Sequence, residues 1–163
     1  MKEFTPVKKI CQHFGIDVHT CSWKHETQPI VATNDTTIFY DKIIPTGRFI
    51  EGNAIKPDIV IWDKKERKSL IIDVAVPNDY GINRAEREKK TKYQPLQEDL
   101  RATWVLRDIE VIPVVVGSTG LLKKNLQNYL DKIPGKPNIR EVQISAIKGT
   151  VTVLKRALGH RND

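Results

Sequence analysis

Seven consecutive residues, Leu70-Ile71-Ile72-Asp73-Val74-Ala75-Val76, are apolar except for one carboxylate at their centre. A short, nearly continuous apolar run rich in β-branched residues is the mark of a strand buried on both faces. A second such run covers Val111 to Val116. The stretch between them, from about Asn83 to Trp104, carries helical periodicity. Pro95 is expected to kink or restart that helix. Ahead of the first run, Asp58 to Trp62 reads as a strand entered through Lys56-Pro57, and the charged stretch from Asp63 to Lys68 reads as a hairpin turn. Thr37 to Ile44 reads as a further strand. Strands and helices in this order predict an α/β sandwich with a mixed β-sheet flanked by helices.

The ends of the chain are helical by pattern. Thr5-Pro6 looks like an N-cap followed by a proline at the first helical position, and Val7, Ile10, Cys11 and Phe14 follow with helical spacing. Ser118 or Thr119 is placed to cap a helix whose stripe is Leu122, Leu126, Tyr129 and Ile133. A final helix is expected from Ile139 to Leu158. Residues 20–34 give no clear pattern.

A chain of 163 residues fits one domain spanning 1–163, with a core at about 37–133 and a basic C-terminal helix at 138–158. No apolar run approaches the roughly 20 residues that a membrane helix needs, and no signal-peptide pattern opens the chain. Two cysteines suggest no disulfide framework, so an intracellular, reducing compartment fits. The net charge is +7, and residues 121–163 hold nine Lys or Arg against three Asp or Glu, which is +6 of it. A basic surface built from Lys123, Lys124, Lys136, Arg140, Lys148, Lys155 and Arg156 is therefore a candidate nucleic-acid contact. A merely solvated basic face is the competing reading.

Asp73 carries the chemistry. A lone carboxylate in a buried strand is costly without a partner, which could be a cation, a lysine or a hydrogen-bond network. A tight hairpin would bring Asp58, which opens the neighbouring strand, alongside Asp73. Two adjacent carboxylates repel, and a divalent metal relieves the repulsion. Mg²⁺ suits all-oxygen ligands and keeps several waters, and Mn²⁺ can replace it. Such a site could activate water for phosphodiester hydrolysis. Metal nucleases of the restriction type place a lysine two residues after the second acid, where this chain has Ala75. The next helix offers a substitute. Counting about 100° per residue from Leu96, Ala85, Lys89, Lys92 and Leu100 all fall within about 40° of the inward stripe, whereas Lys90 falls near 120°. Tyr93 stands one turn beyond Lys89.

The set Lys56-Pro57-Asp58-Ile59-Val60-Ile61, Ile72-Asp73-Val74-Ala75-Val76-Pro77, Glu88-Lys89 and Lys92-Tyr93 resembles the restriction-like endonuclease domain of site-specific non-LTR retrotransposon polyproteins. That domain belongs to the PD-(D/E)xK superfamily, and in it the lysine has likewise moved to the helix. Ile112-Pro113-Val114-Val115-Val116-Gly117 and the final helix are also family-like, so the resemblance extends over about residues 6 to 158. It implies a restriction-endonuclease-like core with N-terminal and C-terminal helices, here as a stand-alone fragment. It implies that Asp58, Asp73 and Val74 hold Mg²⁺ or Mn²⁺. Lys89 or Lys92 would act on the attacking water, with Tyr93 in the catalytic set. Candidate third carboxylates are Asp41 and Glu51. DNA is the implied partner, with the element's RNA as a second, and the nucleus is the implied location.

Other residues carry weaker readings. Cys11, His13, His19, Cys21 and His25 match no usual zinc spacing. Trp23, Trp62 and Trp104 could stack on bases, although packing at the core or its rim is the default. Gly117-Ser118-Thr119-Gly120 lacks the lysine spacing of a phosphate loop and reads as a cap. Two function classes follow: a metal-dependent DNA endonuclease of nicking type, or a catalytically inactive nucleic-acid-binding module or transposon relic with the same fold.

Overall fold

The computed structural model describes Ile10, His13 and Phe14, then residues 30–40, 43–44, 55–144 and 146–147. These group into two compact units. One holds residues 30–74 and 86–114; the other holds 75–85, the described residues from 115 onward, and Ile10, His13 and Phe14.

The first unit is built on a sheet of order β1-β2-β3-β4-β5. The strands are β1 (Ile30–Ala32), β2 (Thr36–Tyr40), β3 (Ile59–Asp63), β4 (Lys68–Ala75) and β5 (Asp108–Val115). The first three pairings are antiparallel. β4 and β5 advance together: Arg107 N–H donates to Arg67 O at one end (2.7 Å) and Val116 N–H to Ala75 O at the other (3.1 Å). That pair is therefore parallel and the sheet mixed. A parallel step needs a long crossover, which the helix α1 (Ile82–Thr103) provides. The β3–β4 hairpin turns where the charges predict it. Asp63 Oδ1 accepts the Glu66 N–H at 2.9 Å, and Arg67 takes a left-handed φ of 55°. The strand expected over Thr37 to Ile44 is the shorter β2, and Ile43 and Ile44 lie beyond it.

Helix α1 buries Tyr93, Leu96 and Leu100 completely against Val60, Ile71, Ile109 and Val111, with Phe39, Trp62 and Trp104 at the rim. On the other face of the sheet Ile59, Ile61, Ile72, Ile112 and Val114 are buried as well. The apolar runs are thus buried on both faces, as their composition requires. α1 continues unbroken through Pro95, correcting the expected restart. Pro95 faces water, where the carbonyl it leaves unpaired can be solvated, and the buried stripe on either side of it pins the helix.

The helix ends in a Schellman turn. Leu106 N–H reaches back to Arg101 O (3.0 Å), which puts Val105 at the left-handed position with φ 53°. Glycine is the usual occupant, and a β-branched residue there is strained. Val105→Gly should therefore raise stability by about 0.5–1 kcal/mol, read as a higher chemical-denaturation midpoint.

In the second unit a short 3-10 turn, Asp79–Gly81, leads into α1. Asp79 ties down the loop after β5: its carboxylate accepts the Thr119 hydroxyl and, at 3.3 Å, the Thr119 N–H. Ser118 and Thr119 therefore do not cap a helix. The chain turns at Gly120 (φ 93°), Leu122 bridges to Val116, and α2 (Leu126–Lys132) starts only after Asn125, whose side chain makes no capping bond. Leu122 thus lies outside the expected helical stripe, while Leu126, Leu130 and Ile133 are buried. Residues 139–144, 146 and 147 are helical, with Val142 and Ala146 buried. The rest of the predicted C-terminal helix, and most of the N-terminal one, lies outside the described residues. No helix among the described residues is long and apolar enough to cross a membrane.

Candidate metal centre

The β3–β4 register brings the acids together. Ile59 pairs with Ile72, so the next positions outward are Asp58 and Asp73. Alternation along β4 places Asp73 on the face of Ile71, the face that α1 covers. Backbone donors lock the pair. Asp58 N–H donates to Asp73 Oδ1 at 3.2 Å, and Val74 N–H donates to Asp58 Oδ2 at 2.8 Å. Asp73 is thus fixed by the residue just ahead of β3, and Asp58 by β4. Asp73 is buried at 3% exposure, and Asp58 is half-buried.

Lys89 reaches this pair from α1. Its ammonium forms an ion pair with Asp73 Oδ2, an oxygen that is shielded from water and has no hydrogen-bond partner of full geometry. Lys92 stays exposed, its ammonium 5.1 Å from the Tyr93 ring centroid. The Tyr93 hydroxyl is buried beside the acids and makes no hydrogen bond of full geometry. Burial, and then the charge and closeness of Asp73, push its ionisation well above the ordinary phenol range. Burial also raises Asp58 to about 6. The Val74 N–H opposes that rise, the charge of Asp73 adds to it, and Lys89 lowers it.

The donors fit a hard divalent cation. Two converging carboxylates, one of them destabilised in its ionised form by burial and by its neighbour, are what such an ion relieves. Mg²⁺ needs only one or two protein carboxylates, because waters fill its other positions. Among the described residues no group of three or more His, Cys, Asp or Glu could share an ion, and Asp58 and Asp73 are the converging pair. Asp41 and Glu51 lie outside the described residues, as do Cys11, His19, Cys21 and His25; His13 is exposed.

The structure therefore gathers Asp58, Asp73, Val74, Lys89 and Tyr93, and leaves Lys92 at the surface. Two features have no clear mark in the residue pattern. One is the use of the Asp58 and Val74 N–H groups to orient the acids, which only the register reveals. The other is Glu86, buried on α1 with Lys90 at 4.0 Å, which its i,i+4 spacing from that lysine could have signalled. Of the basic set, Lys124, Lys136 and Arg140 are exposed and Lys123 is half-buried. Lys148, Lys155 and Arg156 lie outside the described residues. Trp62 and Trp104 sit at the rim of the core. No family model matches the chain, and no curated protein matches it either.

Proposed function

We propose that this chain is a metal-dependent DNA endonuclease of nicking type, a phosphodiester hydrolase with a restriction-endonuclease-like core derived from a non-LTR retrotransposon. The observation that carries the reading is the Lys89 ammonium seated on Asp73 beside Asp58, two positions along β4 from an alanine that can do no proton chemistry. Mg²⁺ or Mn²⁺, when bound by Asp58 and Asp73 with the backbone at Val74, supplies Lewis-acid activation of water and of the phosphate. The backbone N–H groups of Asp58 and Val74 hold the acidic pair in one orientation. The Lys89 ammonium orients the attacking water and offsets charge growing on the phosphate. Tyr93, kept neutral by its surroundings, has a hydroxyl proton to donate at the same place.

DNA is the proposed partner, the element's RNA a second one, and the nucleus the matching location. Lys123, Lys124, Lys136 and Arg140 would hold phosphates without reading sequence. Each phosphate contact releases counterions, so log Kd should rise with log salt at about 0.9 per contact, a slope near 3 to 4 for this set. A Kd that stays flat between low and moderate salt would remove the basic surface from the account. The reading itself is tested by incubating the purified chain with supercoiled plasmid. Nicked circles should appear with Mg²⁺ or Mn²⁺ and vanish with EDTA. Tight DNA binding without nicks would leave the inactive binding module in its place.

A further inference from the structure

At the hairpin end of the first unit, away from the acids, lies an aromatic stack that the proposed chemistry does not use. Trp62 and Trp104 stack 4.3 Å apart with planes 10° from parallel, and both are only half-buried. The exposed Lys64 holds its ammonium 5.2 Å over the Trp62 ring. An exposed lysine over an indole marks ring surface that borders water. Beside the stack, Val105 is 62% exposed while held in the left-handed conformation. Arg67 fixes it there, its Nε donating to Val105 O at 2.9 Å. An exposed apolar side chain at a position where glycine would be less strained is a feature that stability alone does not explain. Lys64, Lys65 and Arg67 all face water at this end.

Flat aromatic surface bordered by flexible cations is how proteins take single-stranded nucleic acid: rings stack on bases, and cations meet the backbone. A duplex hides its base faces and cannot use the rings. We infer that the Trp62–Trp104 stack, with Val105 at its edge and Lys64, Lys65 and Arg67 around it, is a binding surface for single-stranded nucleic acid. Lys64 gives up its place over Trp62 to a base and moves onto an adjacent phosphate. The surface is about 13 Å along β3 from Asp58, at roughly 3.3 Å per residue, so it is distinct from the metal centre. It does not depend on the endonuclease reading.

The test uses the full chain in EDTA, where nicking cannot occur, with a fluorescein-labelled dT15 and a 15-base-pair duplex as probes. Binding of dT15 should quench tryptophan emission. The Lys64→Glu/Lys65→Glu variant changes only exposed residues of the turn, so it should fold, and it should weaken dT15 binding about tenfold or more. Trp62→Ala should weaken dT15 about tenfold and the duplex little. The proposal is overturned if the Lys64→Glu/Lys65→Glu variant binds dT15 as the parent does. It is also overturned if dT15 leaves tryptophan emission unchanged, or if Lys124→Glu/Lys136→Glu alone abolishes dT15 binding. Loss of nicking in Asp73→Asn with dT15 affinity retained would separate this surface from the carboxylate site.

Discussion

Lys89→Ala should slow plasmid nicking at least about a hundredfold while DNA affinity stays within about twofold. The variant removes the ammonium that the structure seats on Asp73. A positioned charge at the reacting phosphate contributes about 10²–10³ to rate, whereas a single charge among many contributes little to DNA affinity. The variant also leaves Asp73, 3% exposed, without its cation. Breaking a buried pair costs about 3–5 kcal/mol, and because Lys89 is itself about a quarter exposed the loss should be nearer 1–3 kcal/mol. Rates are therefore compared well below the melting transition, with folding checked by circular dichroism. Lys90→Ala is the control: Lys90 is exposed and pairs at long range with Glu86, so nicking should change little. Equal losses in the two variants would reduce the effect to general charge. Full activity in Lys89→Ala with loss in Lys92→Ala would move the role to the exposed lysine.

Asp58→Asn should stabilise the metal-free protein at neutral pH while abolishing nicking. Asp58 titrates at about 6 in the fold against an ordinary 3.8. The folded state thus binds a proton that the unfolded chain has released between those values, and stability falls as pH rises through that window. Above about pH 6 the ionised carboxylate is a standing cost to the native state. Asparagine removes the charge and keeps an oxygen for the Val74 N–H. Since Asp58 is only half-buried, solvent screens the effect, and the gain at pH 7.5 should be about 1–2 kcal/mol. It should shrink to nothing below about pH 4, where the parent carboxyl is protonated in both states. Mg²⁺ should reverse the order, because a cation that binds only the folded parent stabilises it by mass action and cannot rescue the variant. Melting curves at pH 4 and 7.5, with and without Mg²⁺, check all four conditions.

Much of this arrangement was legible from residue patterns, because local periodicity and the local turn decide it. The charges from Asp63 to Lys68 place the hairpin, the hairpin sets Asp58 opposite Asp73, and Lys89 is conspicuous as a charge at the middle of the inward stripe. Elements fixed by contacts rather than by their own composition were not legible. β1 has three residues, and its pairing with β2 rather than its composition makes it a strand. The late start of α2 follows from Asp79 capturing Thr119, forty positions along the chain. Pro95 stays inside α1 because Tyr93, Leu96 and Leu100 are packed on both sides of it.

Asp58 and Asp73 together are expected to hold one divalent cation, which calorimetric titration of Mn²⁺ into the purified chain at pH 7.5 reads without any dependence on turnover. One site per chain is expected, lost in both Asp58→Asn and Asp73→Asn while each variant keeps its native circular dichroism. Unchanged Mn²⁺ binding in both variants, or no binding to the parent chain, would contradict it.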